Sequence, residues 1–520
     1  MKISLLPMLL TFYCCFLNVS SSYSMQNKQL TLKLGSKITQ VALVDSKFLS
    51  FTIDSHGLAE GWKNIDLENK QLVYLAKNLH PAYLRIGGTD ADIIQFVPER
   101  PLDSFEGTIN EVKYHHQSCR TDALQDSDYR KPSNSTAYVP AKDILAIGSF
   151  IEKTKVELIY DLNVLLRTKN GRKWDPTNAR ELMKFMSTSG IKVSGWELGN
   201  EPNSFQHAFN VTLKSNYLAE DFSAMKNLTK SFSMFNCSKI IGPDVTRPTG
   251  KRSRSIKYLK GFLKNGGGKT VDKVTFHQYY FDGSNSSEND FINVTTMNAL
   301  QAQIKQIASA VNRFAPGKSI WIGETGSGWG GGCKNVSDRY ASSFLWLDKL
   351  GISARYGVEV VFRQTLMGGA YGMVDSCGTP TPDYYISVLH KRLVGTQVLE
   401  ASLETSESIN SGSLGPPGVR LYFHCTRSAA GSLTVFGINV EKVDAQIKFP
   451  GLRGQMIHEY LLQAPELTSR YSYLNGIILR LNLDGTLPAL EPVKRKSHIL
   501  IPSLSMGFWV LPHANLSMCQ

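Results

Sequence analysis

From about residue 47 to 393, short apolar runs alternate with longer segments whose apolar residues recur at spacings of three and four. The runs Phe48–Ile53, Tyr83–Ile86, Glu157–Leu162, Val193–Leu198, Lys239–Ile241, Lys273–Tyr279, Ser319–Ile322 and Glu359–Phe362 are short and strand-like, which predicts strands. The segments Leu67–Leu79, Asn178–Met186, Leu218–Phe235, Met297–Phe314 and Asp338–Leu350 predict helices with one apolar face. Eight strands in a βα rhythm predict a closed (β/α)8 barrel over residues 47–393. Pro98–Tyr138 breaks the rhythm with mixed charge and no sustained period, so an insertion is expected at about 98–140.

Past Leu393 the helical spacing fades. Val419–His424, Ser432–Asn439, Ala445–Phe449, Ile477–Leu481 and Gly507–Leu511 are β-rich and separated by Gly, Pro and Asn turns, which predicts a β-sandwich over 394–520. Two further runs, Gln29–Leu34 and Gln40–Val44 within 25–46, would complete that sandwich from the N-terminal side. Residues 1–24 have the layout of a cleaved secretory signal: Lys2, an apolar run from Ile3 to Val19, then small polar residues. The alternative is an uncleaved anchor, disfavoured by the shortness of the run and by Thr11 and Asn18 within it. No later stretch is long and apolar enough to span a bilayer.

Composition adds a compartment and a charge. Asn134, Asn210, Asn227, Asn236, Asn285, Asn293, Asn335 and Asn515 each begin an N-x-S/T triplet, in keeping with secretion. Six cysteines follow the signal without a CxxC or zinc-knuckle spacing, so disulfides are expected rather than metal ligation. Cys333 and Cys377 follow the seventh and eighth strands, close enough in a barrel to pair. His115-His116 has no third ligand at a metal-binding spacing. A net charge of +13 favours a polyanionic partner without choosing one.

Two of the predicted strands end in acids, Glu201 in WELGNEPNSF and Glu324 in WIGETGSGWGGG. A barrel presents its strand ends at one face, so both carboxylates would meet in the same mouth. Retaining glycoside hydrolysis needs such a pair at about 5–5.5 Å, one to attack the anomeric carbon and one to protonate the leaving oxygen. Asn200 stands where its amide could grip a sugar hydroxyl, and the glycine-rich loop after Glu324 allows close backbone approach to a ligand. No metal and no organic cofactor is needed for that chemistry.

These stretches, together with AYLRIGGT (82–89), DLNVLLRT (161–168), HQYYFDG (277–283), SDRYASSFLWLDKLGISA (337–354) and DYYISVLHKRLVGTQVL (383–399), resemble the heparanase family of retaining glycoside hydrolases over essentially the whole mature chain. The resemblance implies endo-β-glucuronidase activity on a glycosaminoglycan, with Glu201 as acid/base and Glu324 as nucleophile. It further implies that Asn200, Asp54, Thr89, Tyr279, Gly331, Gly332 and Tyr371 bind the sugar, and that Cys425 pairs with Cys519. The implied partner is heparan sulfate or a related glycosaminoglycan, not nucleic acid, in the extracellular matrix or the lysosome, with peripheral membrane or matrix association through proteoglycans.

In vertebrate members, basic side chains that reach sulfates occupy positions matching Asp90, His207, Ala208 and Ser284, so much of that set is absent here. A basic run at Arg247, Lys251, Arg252, Arg254 and Lys257 could supply a sulfate-binding rim or be a solvated face. HQYYFDG and VSDRY also resemble the leech hyaluronidase of the same family, which makes hyaluronan the rival substrate. A non-catalytic glycosaminoglycan-binding relative is the rival of another class.

Overall fold

The structure, a computed structural model, describes residues 30–98, 135–250, 252–405, 417–448, 455–496 and 498–520. The expected signal, nearly all of the insertion, Cys119, Asn134 and Lys251 lie outside the described residues.

Strand β1 (Leu30–Leu43) precedes a closed parallel barrel of β2 (Leu49–Asp54), β3 (Tyr83–Gly87), β4 (Glu157–Leu162), β5 (Val193–Leu198), β6 (Lys239–Val245), β7 (Lys273–Gln278), β8 (Ser319–Thr325) and β9 (Val358–Arg363). Each barrel strand is followed by a helix: α1 (Lys70–Lys77), α2 (Ala141–Thr154), α3 (Thr177–Thr188), α4 (Ser215–Lys230), α5 (Arg254–Phe262), α6 (Val294–Phe314), α7 (Tyr340–Arg355) and α8 (Pro382–Leu393). The eight expected runs are the eight strands. β6, β8 and β9 reach further than their apolar runs, to Val245, Thr325 and Arg363, because Gly242-Pro243-Asp244 interrupts the hydrophobic pattern of β6 and the last residues of β8 and β9 are polar.

The two N-terminal runs are one strand. β1 pairs antiparallel with β10 (Val394–Thr405), and register shifts between Leu34 and Ile38 and between Gln40 and Ala42 produce the break in its pattern. The sheet continues through β11 (Val419–Thr426), β12 (Leu433–Asn439), β13 (Ala445–Lys448), β14 (Met456–Gln463), β15 (His498–Ile501) and β16 (Ser505–Leu511), in the order β14-β16-β12-β11-β10-β1-β13-β15. The expected sandwich is therefore one continuous, mainly antiparallel sheet. It folds over a core in which Ile447, Ile499 and Leu32 meet Phe423, Val435 and Trp509. Cys425 and Cys519 are bridged, with Cα atoms 5.3 Å apart. Cys333 and Cys377 are not bridged; Cys333 instead places its Sγ 3.0 Å from the carbonyl of Ser286.

The barrel and the sheet share a packed junction. Asp348, fully buried on α7, accepts from Tyr422 Oη and Arg420 Nε at 2.5 Å each, and Arg420 Nη1 reaches Asn298 Oδ1 at 2.8 Å. Gly351, one turn on, lets the Tyr422 ring approach: a Cβ there would lie 2.1 Å from it.

Candidate active site

Side chains alternate along each barrel strand, so residues two apart stack along the interior. The lower interior is apolar, filled by Tyr83, Ile159, Ile241, Trp321, Val360 and Phe362. Gly195 belongs to this layer, since a Cβ on it would lie 2.4 Å from Ile241 and 2.9 Å from Ile159. Two residues further up come Arg85 above Tyr83, Asp161 above Ile159 and Glu197 above Gly195. The barrel thus has an apolar floor and a charged layer at the base of its mouth.

Arg85 organises that layer. It is fully buried and donates from Nε to Glu197 Oε2 at 2.7 Å, from Nη1 to Glu324 Oε2 at 3.0 Å and from Nη2 to Asn200 Oδ1 at 3.0 Å. Asp161 and Asp244 lie 3.6 and 3.9 Å from its Nη2. Burial opposes its charge, but the surrounding carboxylates outweigh that and hold its pKa well above the usual value. Gly87 makes the room, because a Cβ there would lie 2.7 Å from the guanidinium carbon. Burial pushes Glu197 up to about 8, against the opposing pull of Arg85, and raises Asp161 well above its usual range.

Glu324 is 8% exposed and held from two sides, by Arg85 on Oε2 and by Tyr279 Oη, which donates to Oε1 at 2.7 Å. The strand end that carries it is anchored from behind. Buried Lys349 on α7 donates to the Gly326 carbonyl at 2.6 Å and to Thr325 Oγ1. Glu201 sits at the opposite wall in a left-handed conformation (φ 53°, ψ 51°) that turns the chain sharply after β5. Its Oε1 lies 3.0 Å from His277 Nδ1, and His277 Nε2 lies 3.4 Å from Asp244 Oδ1. Burial disfavours charge on His277, yet Glu324, Asp244 and Glu201 together push its pKa up to about 10. Its imidazolium therefore sits between the two walls at neutral and acidic pH.

The neighbours of Glu201 are fixed as firmly. The Asn200 backbone N–H donates to Asp92 Oδ2 at 2.8 Å, and Arg85 occupies Asn200 Oδ1, so the amide Nδ2 is the group left to donate to a ligand. Asp54 accepts from His56 N at 2.8 Å and from Gln364 Nε2 at 2.7 Å. Gly88, with φ 136°, passes close enough that a Cβ would lie 2.9 Å from Asp54 Oδ1. Burial, reinforced by the charge of Glu324, pushes Asp54 up to about 6.

The structure gathers most of the expected site residues. Tyr371 stacks on Tyr279 with ring centroids 6.4 Å apart, a Cβ on Gly332 would touch Tyr371 at 3.0 Å, and Ala370 N donates to Gly331 O at 2.7 Å. Thr89 is exposed and opens a short helical turn, Thr89–Ile93, beside Gly88. Arg247 lies apart from this group, its guanidinium 4.5 Å from the centre of the Trp329 ring, and Arg252 is exposed on the approach to α5. The sequence reading passed over Arg85, His277, Asp161, Glu197 and Asp244. The available signal was a charged residue bracketed by large apolar neighbours within a short strand, as in Leu84-Arg85-Ile86, Tyr160-Asp161-Leu162 and Trp196-Glu197-Leu198.

Two carboxylates on facing walls of a barrel mouth, one clamped by an arginine and a tyrosine and one against an imidazolium, can perform acid/base and nucleophilic work on an acetal. Comparison with known proteins agrees in kind. The N-terminal domain of glycosyl hydrolase family 79 matches residues 55–351. Heparanase of Mus musculus is 35% identical over 508 residues, covering 92% of each chain. Inactive heparanase-2 of the same species is 32% identical, covering 97% of this chain and 92% of its own. Hyaluronoglucuronidase of Hirudo nipponia is 32% identical, covering 88% and 92%. Among solved structures, a 4-O-α-L-rhamnosyl-β-D-glucuronidase from Fusarium oxysporum superposes with a TM-score of 0.62 at 14% identity, covering 93% of this chain and all of that one, a likeness of fold. The chain belongs to glycosyl hydrolase family 79.

Proposed function

We propose that the chain is a secreted or lysosomal retaining endo-β-glucuronidase that hydrolyses internal glucuronide linkages of heparan sulfate. The observation that carries the reading is the double clamp on Glu324 by Arg85 and Tyr279, opposite a Glu201 seated against His277. In the first step Glu324 attacks the anomeric carbon as a carboxylate while Glu201 gives its proton to the leaving oxygen. In the second, Glu201 takes a proton from water, which displaces Glu324 and returns the sugar with its starting configuration. Asn200 Nδ2 is placed to donate to a hydroxyl of the reacting sugar, a bond that strengthens as charge develops on the ring. Gly331, Gly332 and Tyr371 form the wall beside Glu324 that would receive the uronate carboxylate.

The inactive relative is of similar identity, so a non-catalytic role is the alternative of another class. Against it stand two acids whose partners are all present, an arrangement that polymer binding alone does not require. Secretion is supported by the seven described N-x-S/T asparagines, Asn210, Asn227, Asn236, Asn285, Asn293, Asn335 and Asn515, all of them exposed. Incubating purified protein with heparan sulfate and separately with hyaluronan, across pH 4 to 7, and sizing the products tests the reading. Shortened heparan sulfate chains are expected. Selective shortening of hyaluronan would transfer the assignment to that polymer, and no cleavage of either would favour the non-catalytic role.

Asp54 gives the site a pH dependence. A carboxyl raised to about 6 is charged above that pH and neutral below it, so lowering the pH from 7 to 5 removes a negative charge from the sugar-binding side of the cleft. The KM for an anionic polymer is expected to fall about threefold to tenfold over that range, and Asp54→Asn should flatten the dependence. An unchanged KM–pH profile in that variant would remove Asp54 from substrate binding.

A further inference from the structure

We propose that Asn285 and Asn335 carry N-linked glycans that stand side by side on the rim of the barrel mouth and hinder long polymer chains more than short ones. The inference rests on the secreted glucuronidase reading above and adds to it a modification with a consequence at the site. Each asparagine begins an N-x-S/T triplet, Asn285-Ser-Ser287 and Asn335-Val-Ser337, and each is exposed. The transfer joins Nδ2 to the anomeric carbon of an oligosaccharide carried on a lipid diphosphate. That carbon's bond to the diphosphate breaks, and the departing diphosphate takes up the amide proton.

Asn285 lies on the loop after β7 and Asn335 on the loop after β8, so both belong to the mouth end of the barrel. The two loops are sewn together. Phe281–Asp282 pairs with Gly328–Trp329, a Cβ on Gly283 would lie 2.4 Å from the Gly332 carbonyl carbon, and Cys333 Sγ donates to the Ser286 carbonyl at 3.0 Å. Gly332 also backs Tyr371, so the seam adjoins the wall beside Glu324.

Each asparagine is held at a tip. In the first loop Asp282 Oδ1 accepts from Ser284 N at 3.0 Å and Ser286 Oγ donates to the Asp282 carbonyl at 2.6 Å, which leaves Asn285 exposed between them. The second loop is a tight turn in which Ser337 N donates to the Cys333 carbonyl and Cys333 N to Ser337 Oγ, each at 2.8 Å. Asn335 sits at its tip with φ 60°, a left-handed conformation that asparagine tolerates. Arg339 Nη2 donates to Asn335 Oδ1 at 3.3 Å, a bond that does not engage Nδ2, the atom that takes the sugar. Ser337 is buried, so this triplet is read before the turn closes.

The other described triplets lie elsewhere. Asn227 is near the end of α4 and Asn236 just before β6, both at the opposite end of the barrel, and Asn515 follows β16 in the sheet. Asn210 and Asn293 are at the mouth end but outside the sewn loops, Asn293 as the N-cap of α6. A glycan is bulky, so two on one rim exclude volume that a chain running past the cleft needs. A short oligosaccharide that ends within the cleft does not meet them.

The test uses protein secreted from a glycosylating eukaryotic host, with occupancy read by mass spectrometry of its glycopeptides. Kd is then measured for long heparan sulfate chains and for a tetrasaccharide cut from them. Both asparagines are expected to be occupied. The double variant Asn285→Gln, Asn335→Gly, whose glycine suits the left-handed turn, should bind the long chain about threefold to tenfold more tightly with the tetrasaccharide unchanged. Asn227→Gln, which removes a triplet at the far end, should alter neither. Where the double variant is not secreted, trimming the wild-type glycans with an endoglycosidase should give the same selective tightening. An unoccupied Asn285 or Asn335, an unchanged Kd for the long chain, or equal tightening on both ligands would overturn the proposal. A wild type that cleaves neither ligand but shows the selective tightening would sink the glycosidase reading and uphold the role of the glycans.

Discussion

Glu324→Gln is expected to yield a folded protein without measurable turnover, a loss on the order of 10⁴- to 10⁶-fold. Glutamine has the same shape, and its amide oxygen can still accept from Tyr279 Oη or Arg85 Nη1. Arg85 retains Glu197 and Asn200, so the charged layer survives the change. What disappears is the nucleophile, since a neutral amide at that position cannot form the glycosyl ester. Release of new reducing ends, measured beside a thermal melt, checks both halves: near-normal turnover in a folded variant would remove Glu324 from the mechanism.

The second large effect belongs to Arg85, which touches no substrate and acts by positioning. Its three nitrogens serve Glu197, Glu324 and Asn200 at once, which a single ammonium on a flexible stem cannot do. In Arg85→Lys the charge stays, so the buried acids keep a counter-ion, but Glu324 and Asn200 lose their common anchor. Misplacement of reacting groups by about 1 Å costs on the order of 10²-fold in rate, and that loss is expected in kcat with KM little altered. Removing the charge altogether, as in Arg85→Met, leaves several buried carboxylates unpaired and should cost about 3–5 kcal/mol of stability. The comparison separates the two roles: a lysine variant with full kcat and a lowered melting temperature would make Arg85 structural only.

The barrel was legible because each of its strands carries an apolar run and most helices an amphipathic one, and those periods depend only on burial. Glu201 and Glu324 were legible because they end such runs in a distinctive setting. Arg85 and His277 were not, because an inward charge in a strand looks locally like any polar interruption, and its meaning depends on which neighbours the closed barrel brings to it. Asp161 and Asp244 reach Arg85 from strands far apart in sequence. Trp329 was hidden for a related reason. Its partner Arg247 lies on another loop, and the glycines around it suggested backbone approach to a ligand rather than a ring on display. The break within β1 arose from register shifts, which mimic the end of a strand when read one residue at a time.

The most direct test of the account is to trap the intermediate. A 2-deoxy-2-fluoro-β-glucuronide with a good leaving group slows release of the glycosyl enzyme, and digestion followed by mass spectrometry locates the attached sugar. One sugar per chain is expected, esterified to the peptide that contains Glu324, with none in Glu324→Gln. A sugar on Glu201, or product of inverted configuration with no trapped species, would contradict it.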